Sequence, residues 1–175
     1  MATIQPDSYD PLFPIRSSSS SSSRAAPAAD DDNDKLKAFI AGFYAASDDP
    51  GRNDDWLSYF APDAVLIMGD KVVRGTEGIR EFRRGMWENV RSRKHRPTKV
   101  FPASFPSPSS SPETGTGAGT AKTAAVEYML HGSLDLELKS GDISTVAWAG
   151  RAVLEEVPGG GGALKYALYQ VYMHR

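Results

Sequence analysis

The chain has 175 residues, a net charge of −2, no cysteine and 40% hydrophobic residues. That length is a prior for one domain. The lack of cysteine excludes a disulfide framework, a thiol nucleophile and a cysteine metal site, and the small net charge provides no field for nucleic acid or an acidic membrane.

No apolar run approaches the roughly 18 residues of a membrane helix, and the N-terminus lacks the basic and apolar regions of a secretory signal. The expectation is a cytoplasmic protein with neither nucleic-acid nor membrane partners. Residues 1–30, with the run Ser17 to Ser23 followed by "RAAPAADDD", read as a disordered tail that buries too little apolar surface to offset the entropy of ordering. Residues 31–175 read as one domain.

The first element is a helix, "DKLKAFIAGFYAAS". Leu36, Phe39, Ile40, Phe43 and Tyr44 fall on one stripe, with Asn33 or Asp34 as N-cap and "SDDPG" as stop. "NDDWLSYF" is a short second helix with Trp56, Tyr59 and Phe60 on one face. "APDAVLIMGD" turns at Pro62-Asp63 and enters a strand, and "DKVVRG" is a second short strand. Thr76 caps a third helix whose stripe is Ile79, Phe82, Met86 and Val90. "HRPTKVFPA" reads as a strand starting near Thr98. Residues 104–120, rich in Pro, Ser and Gly, read as a flexible loop. Three long strands follow: "KTAAVEYMLHGSLDLELK", "ISTVAWAGRAVLEEV" and, after the hairpin "PGGGG", "ALKYALYQVYMHR". Helices first and antiparallel strands last make the fold class α+β.

This order resembles the cone-shaped α+β barrel of the nuclear-transport-factor-2-like superfamily, and specifically its SnoaL-like members. Trp56, Tyr59-Phe60, Pro62-Asp63-Ala64-Val65, Gly75-Thr76-Glu77-Gly78-Ile79 and Phe82 carry the resemblance, together with "VEYMLHGSLDL", "WAGRAVLEEV" and "YALYQVYM". The resemblance implies three N-terminal helices packed on one strongly curved, mostly antiparallel sheet, around a conical pocket. It also implies a homodimer through the sheet, in keeping with strands such as "TVAWAGRAVL" that are apolar on both faces. Family members include polyketide cyclases, a fungal dehydratase, epoxide hydrolases and isomerases, and fold alone does not choose among them.

Of the three histidines, His174 lies beside the C-terminus. His95 and His131 occupy places that resemble the acid and base of the scytalone-dehydratase type. Imidazole titrates near neutrality, as proton transfer requires. Against this, His95 sits in the basic run "RSRKHRP", which also suits a solvated helix end. His131 shares strand parity with Glu127, Met129 and Ser133, so it points outward if the apolar face is concave, unless Gly132 is a bulge that flips the register. Asp48 and Asp49 end the first helix, where the dehydratase type has a Tyr-Asp pair that holds a catalytic water.

Glu127 is a candidate base, or an orienting partner for His131. Asp70 is a candidate base at the cone mouth or a plain hairpin residue. Arg151, inside an apolar strand, needs a partner: Glu127 across the sheet, or a ligand anion. Tyr44, Trp56, Tyr59, Met68, Trp87, Trp148 and Tyr169 are the other residues expected to shape a ligand site. No metal-ligand set, phosphate loop or serine nucleophile elbow is found, and no cofactor is expected. Two functions fit: acid–base catalysis on a small apolar, polyketide- or terpenoid-like compound (cyclisation, dehydration or isomerisation), or a non-catalytic binding or dimerisation module with a filled cone.

Overall fold

A computed structural model describes Tyr9 and residues 11–13, 28–104, 126–157 and 161–173. Its elements, in chain order, are α1 (Ala28–Ser47), α2 (Asn53–Ser58), β1 (Phe60–Met68), β2 (Lys71–Arg74), α3 (Gly75–Gly85), β3 (Val90–Ser104), β4 (Val126–Leu138), β5 (Ile143–Glu156) and β6 (Leu164–Met173).

The six strands form one open sheet in the order β2-β1-β6-β5-β4-β3. The β1–β6 pair is parallel and every other pair antiparallel. The three helices pack on one face, so the architecture is the α+β cone expected from the sequence. The α1 stripe Leu36, Phe39, Ile40, Phe43 and Tyr44 is buried, as are Trp56 of α2 and Ile79 of α3. They meet Tyr128 and Leu130 of β4, Ala152 and Leu154 of β5, and Tyr166 and Tyr169 of β6 in one core. Phe43 is its hub, with its ring 4.8 Å from Tyr166, 5.3 Å from Tyr169 and 6.0 Å from Trp56. Aromatic rings in edge-on contact add directional attraction to area burial.

Several boundaries differ from the sequence reading, and α3 is entered from Arg74 at its N-cap position rather than capped by Thr76. α3 ends at Gly85 rather than at Val90, and β3 starts at Val90 rather than near Thr98. The basic run "RSRKHRP" is therefore strand: it pairs with β4 from Val90↔Leu138 to Pro97↔Gly132. A long partner ladder outweighs the local preference of a charged stretch. α1 also starts at Ala28, inside the segment read as tail. Most of that tail and nearly all of the 104–120 loop lie outside the described residues.

The register of β3 matters for the site. Its pairing with β4 shifts between Pro97 and Lys99, leaving Thr98 as an extra residue, whereas β4 pairs with β5 without a break. The bulge thus lies at Thr98 and not at Gly132. Since a one-residue step swaps faces, this insertion lets Arg93, His95 and Pro97 share the inner face with Val100. His131 stays outside, where Thr98 Oγ1 donates to its carbonyl oxygen at 2.9 Å.

Candidate active site

The site is assembled at the C-terminal end of α1. The Asp48 N–H still donates to the Tyr44 carbonyl oxygen at 3.0 Å, and "DPG" then stops the helix. Asp48 falls one turn beyond Tyr44, on the buried stripe, so its carboxylate turns inward towards β3. There its Oδ2 accepts the His95 backbone N–H at 2.8 Å, and its Oδ1 accepts from His95 Nδ1 at 2.5 Å. Both side chains are largely buried, with 7% of Asp48 and 15% of His95 exposed. A buried carboxylate of this kind needs paired donors, and one residue of β3 supplies two of them.

Two guanidinium groups hold the helix end in place. Arg83 of α3 is fully buried. It donates to the carbonyl oxygens of Ser47, Ala46 and Asp49, each at 2.9 Å, and to Asn53 Oδ1 at 3.0 Å. Arg93 of β3 donates through Nε to Ser47 O at 2.9 Å and through Nη2 to the same oxygen, with Nε 3.8 Å from Asp48 Oδ1. The last carbonyls of a helix lack intrahelical donors and carry partial negative charge, and two cations answer both needs. The Trp87 ring lies between them, 5.3 Å from the Arg83 guanidinium carbon and 4.4 Å from that of Arg93.

These charges set the state of His95. Burial lowers its pKa below the ordinary value. Asp48 pulls it upward by hydrogen bond and charge, and Arg93 and Arg83 push it down again; the net effect is downward. The imidazole is therefore neutral at pH 7. Its proton sits on Nδ1, facing the carboxylate, and Nε2 keeps a lone pair. Burial and Arg93 bring Arg83 down to about 9, and burial brings Arg93 down to about 10, so both remain cations at neutral pH.

His95, Arg93 and Ser47 form the polar part of a cavity otherwise lined by Phe43, Trp56, Trp148 and Tyr169, by Met68, Met86 and Met173, and by Leu134 and Val171. Its interior volume is about 60 Å³, within about 490 Å³ of empty space once the mouth open to solvent is counted. Behind His95, the Tyr44 ring lies 4.9 Å away and the Trp148 ring 5.8 Å away. The Tyr44 and Tyr169 hydroxyls share a hydrogen bond of 2.8 Å. Burial raises the pKa of both phenols, so both stay protonated.

Of the residues singled out from sequence, the structure brings His95, Trp56, Met68, Trp148 and Tyr169 to the cavity and sets Tyr44 directly behind it. Tyr59 packs on Phe39 and Phe43 instead. Trp87 stacks between the two arginines. His131 is exposed on the outer face of the sheet. Glu127 and Arg151 pair with each other there at 2.6 Å, which satisfies the arginine without a ligand. Asp70 is exposed in the β1–β2 turn. Sequence reasoning gave Arg83, Arg93 and Ser47 no role and did not join Asp48 to His95. The signals exist: Arg83 occupies the i+4 position of the Ile79 stripe, and Arg93 and His95 alternate as strand residues do. Among the described residues, no group of three or more His, Asp or Glu is placed to hold a metal ion, and no helix is long and apolar enough to cross a membrane.

No family profile matches the chain, and no curated protein matches it. Solved structures do. A Novosphingobium aromaticivorans protein assigned as an aromatic ring hydroxylase shares 17% identity, covering 86% of this chain and 95% of its own, at a TM-score of 0.65. Another from that organism, assigned as a scytalone dehydratase, shares 7% identity over 82% of this chain and 85% of its own, at 0.64. The hexachlorocyclohexane dehydrochlorinase LinA-type3 of Novosphingobium barchaimii shares 16% over 84% and 92%, at 0.59. At these identities the likeness is one of fold: an α+β arrangement of helices packed on one open, mostly antiparallel sheet.

Proposed function

We propose that this SnoaL-like cone is a cofactor-independent acid–base catalyst for a small, largely apolar compound, with His95 as base and Asp48 as its orienting partner. One observation carries the reading: a neutral imidazole, anchored through Nδ1 to a buried carboxylate, forms the polar wall of an apolar cavity. His95 Nε2 takes a proton from a substrate carbon. As that bond forms, Asp48 offsets the new imidazolium charge, and the Arg93 cation stands nearby for the negative charge left on the substrate. The carbon's electron pair then forms a double bond by expelling a leaving group (dehydration), shifts along a conjugated system and is reprotonated at another carbon (isomerisation), or attacks a carbonyl carbon of the same molecule, whose π pair moves to oxygen and takes the proton back from His95 (cyclisation); all three share this first step. A dehydratase and a dehydrochlorinase among the similar folds support it.

The test is a turnover screen of polyketide- and terpenoid-like ketones and alcohols, with every hit repeated on one variant. His95→Ala is expected to lower kcat by roughly 10²- to 10⁴-fold. Unchanged turnover in that variant would sink the reading.

A second reading is favoured by the small interior volume. A cone nearly filled by aromatic rings suits a binding or dimerisation module without catalysis. A ligand-accepting cavity gives thermal stabilisation that grows with ligand concentration, and a filled one gives none. In either case we infer a homodimer through the outer sheet face, where Phe101, Met129 and Tyr172 are exposed around the Glu127–Arg151 pair. Sedimentation that gives a monomer at micromolar concentration would refute it.

A further inference from the structure

Tyr9 and residues 11–13, which precede α1 in the chain, reach the site. Leu12 forms a parallel bridge with Lys99 at the free edge of β3: its N–H donates to the Thr98 carbonyl oxygen and its own carbonyl oxygen accepts from Val100 N–H, both at 2.9 Å. Pro11 is buried, and the Lys37 ammonium lies 5.5 Å from the centre of the Phe13 ring. This attachment brings Tyr9 to the end of α1, where its hydroxyl donates to Asp48 Oδ2 at 2.9 Å. Lys94 Nζ in turn donates to the Tyr9 oxygen at 3.0 Å and stands 4.1 Å above its ring.

Among the described residues Asp48 thus has three hydrogen-bond donors: two from His95 and one from a residue 39 positions before it in the chain. A hydroxyl that itself accepts from a cation is a stronger donor. We propose that Tyr9 is a positioning residue of the Asp48–His95 pair: by taking up part of the Asp48 charge, it sets how tightly the carboxylate holds the His95 ring. This rests on the acid–base reading for its functional meaning, although its physical content is independent of it.

The sign follows from the groups around the pair. His95 is faced by Asp48 from α1, by Arg93 of its own strand and by Arg83 of α3; Lys94 acts through Tyr9. Asp48 is the one anion among them and favours the imidazolium. Removing the Tyr9 hydroxyl concentrates its charge on the His95 side, while the backbone N–H of His95 keeps the carboxylate in place. The His95 titration midpoint must then rise.

The experiment is an NMR titration of the His95 ring in the full chain and in Tyr9→Phe, with amide exchange at Val100 as a reporter of segment docking. The expected result is a higher His95 midpoint in Tyr9→Phe with Val100 still protected, and a smaller shift in the same direction in Lys94→Met. An unchanged or lower midpoint in Tyr9→Phe overturns the inference, as does a freely exchanging Val100 amide in the unsubstituted chain. Failure of the catalytic reading would show differently: turnover would be indifferent to His95→Ala while the titration still responded to Tyr9.

Discussion

His95 is buried as a neutral ring, and this couples stability to pH. Its pKa in the fold lies below the ordinary value of about 6.5, so between those two values the unfolded chain binds the extra proton and the fold does not. The contribution is whole above the ordinary value and shrinks as pH falls through it towards the lower one. The thermal midpoint is expected to fall across that window, and His95→Asn is expected to flatten that part of the curve. The tyrosine pair behind the ring gives a second outcome at this scale. Tyr44→Phe leaves the buried Tyr169 hydroxyl without its partner and is expected to cost about 1–3 kcal/mol in denaturant unfolding. Because the two hydroxyls serve each other, adding Tyr169→Phe to that variant costs less than the two single changes summed.

Among the elements, the end of α1 depends on Arg83 of α3. Arg83→Met removes the donor to two helix carbonyls, to the Asp49 carbonyl just beyond them and to an amide oxygen at once, and is expected to destabilise by about 3 kcal/mol or more. Arg83→Lys recovers only part of this, because one ammonium cannot reproduce a planar fork. A second constraint is Gly132 on β4. A Cβ there would stand 2.4 Å from the Arg96 carbonyl oxygen and 2.9 Å from Trp148 Cζ2. Gly132→Ala therefore forces β3 or the Trp148 ring to move, and a change in Trp148 fluorescence together with a lower thermal midpoint is the expected result. How much of this was legible varied by element. The α1 stripe and the long strands announce themselves, because one period holds for many residues. β3 hides because its first half is charged, and only its partner strand reveals it. The Asp48–His95 pair hides for the same reason: with 95 left between a helix end and the entry to a strand, no ladder brings it to residue 48. Tyr9 leaves no periodic trace at all, since a single bridge at a strand edge has no repeat to detect.

In the molecule as a whole, the two sequence candidates His95 and His131 fall on opposite faces of the sheet. The alternation of β4 alone settles the outward position of His131 once the bulge is located at Thr98. Deleting Thr98 would move Lys99 inward and Val100 outward, or carry His95 and Arg93 off the inner face. Loss of cooperative unfolding is the expected outcome, measured by circular dichroism. Soluble, fully folded protein with an intact His95 titration would contradict the register described here.

The position of β6 has a consequence for how the molecule is made. This strand lies between β1 and β5, which have no pairing with each other, so the β1–β2–α3 half and the β3–β4–β5 half are joined across the sheet through it. During synthesis both halves exist before the strand that unites them, each with an unpaired inner edge at β1 or β5. Until Leu164–Met173 has emerged, the nascent chain offers two open templates for pairing with other chains. Closure then requires the parallel β1–β6 contact across about a hundred residues of sequence, which is a slow kind of step. Substitutions in β6 are thus expected to show as aggregation during expression as well as in equilibrium stability, and the soluble fraction after expression is the measurement that checks it.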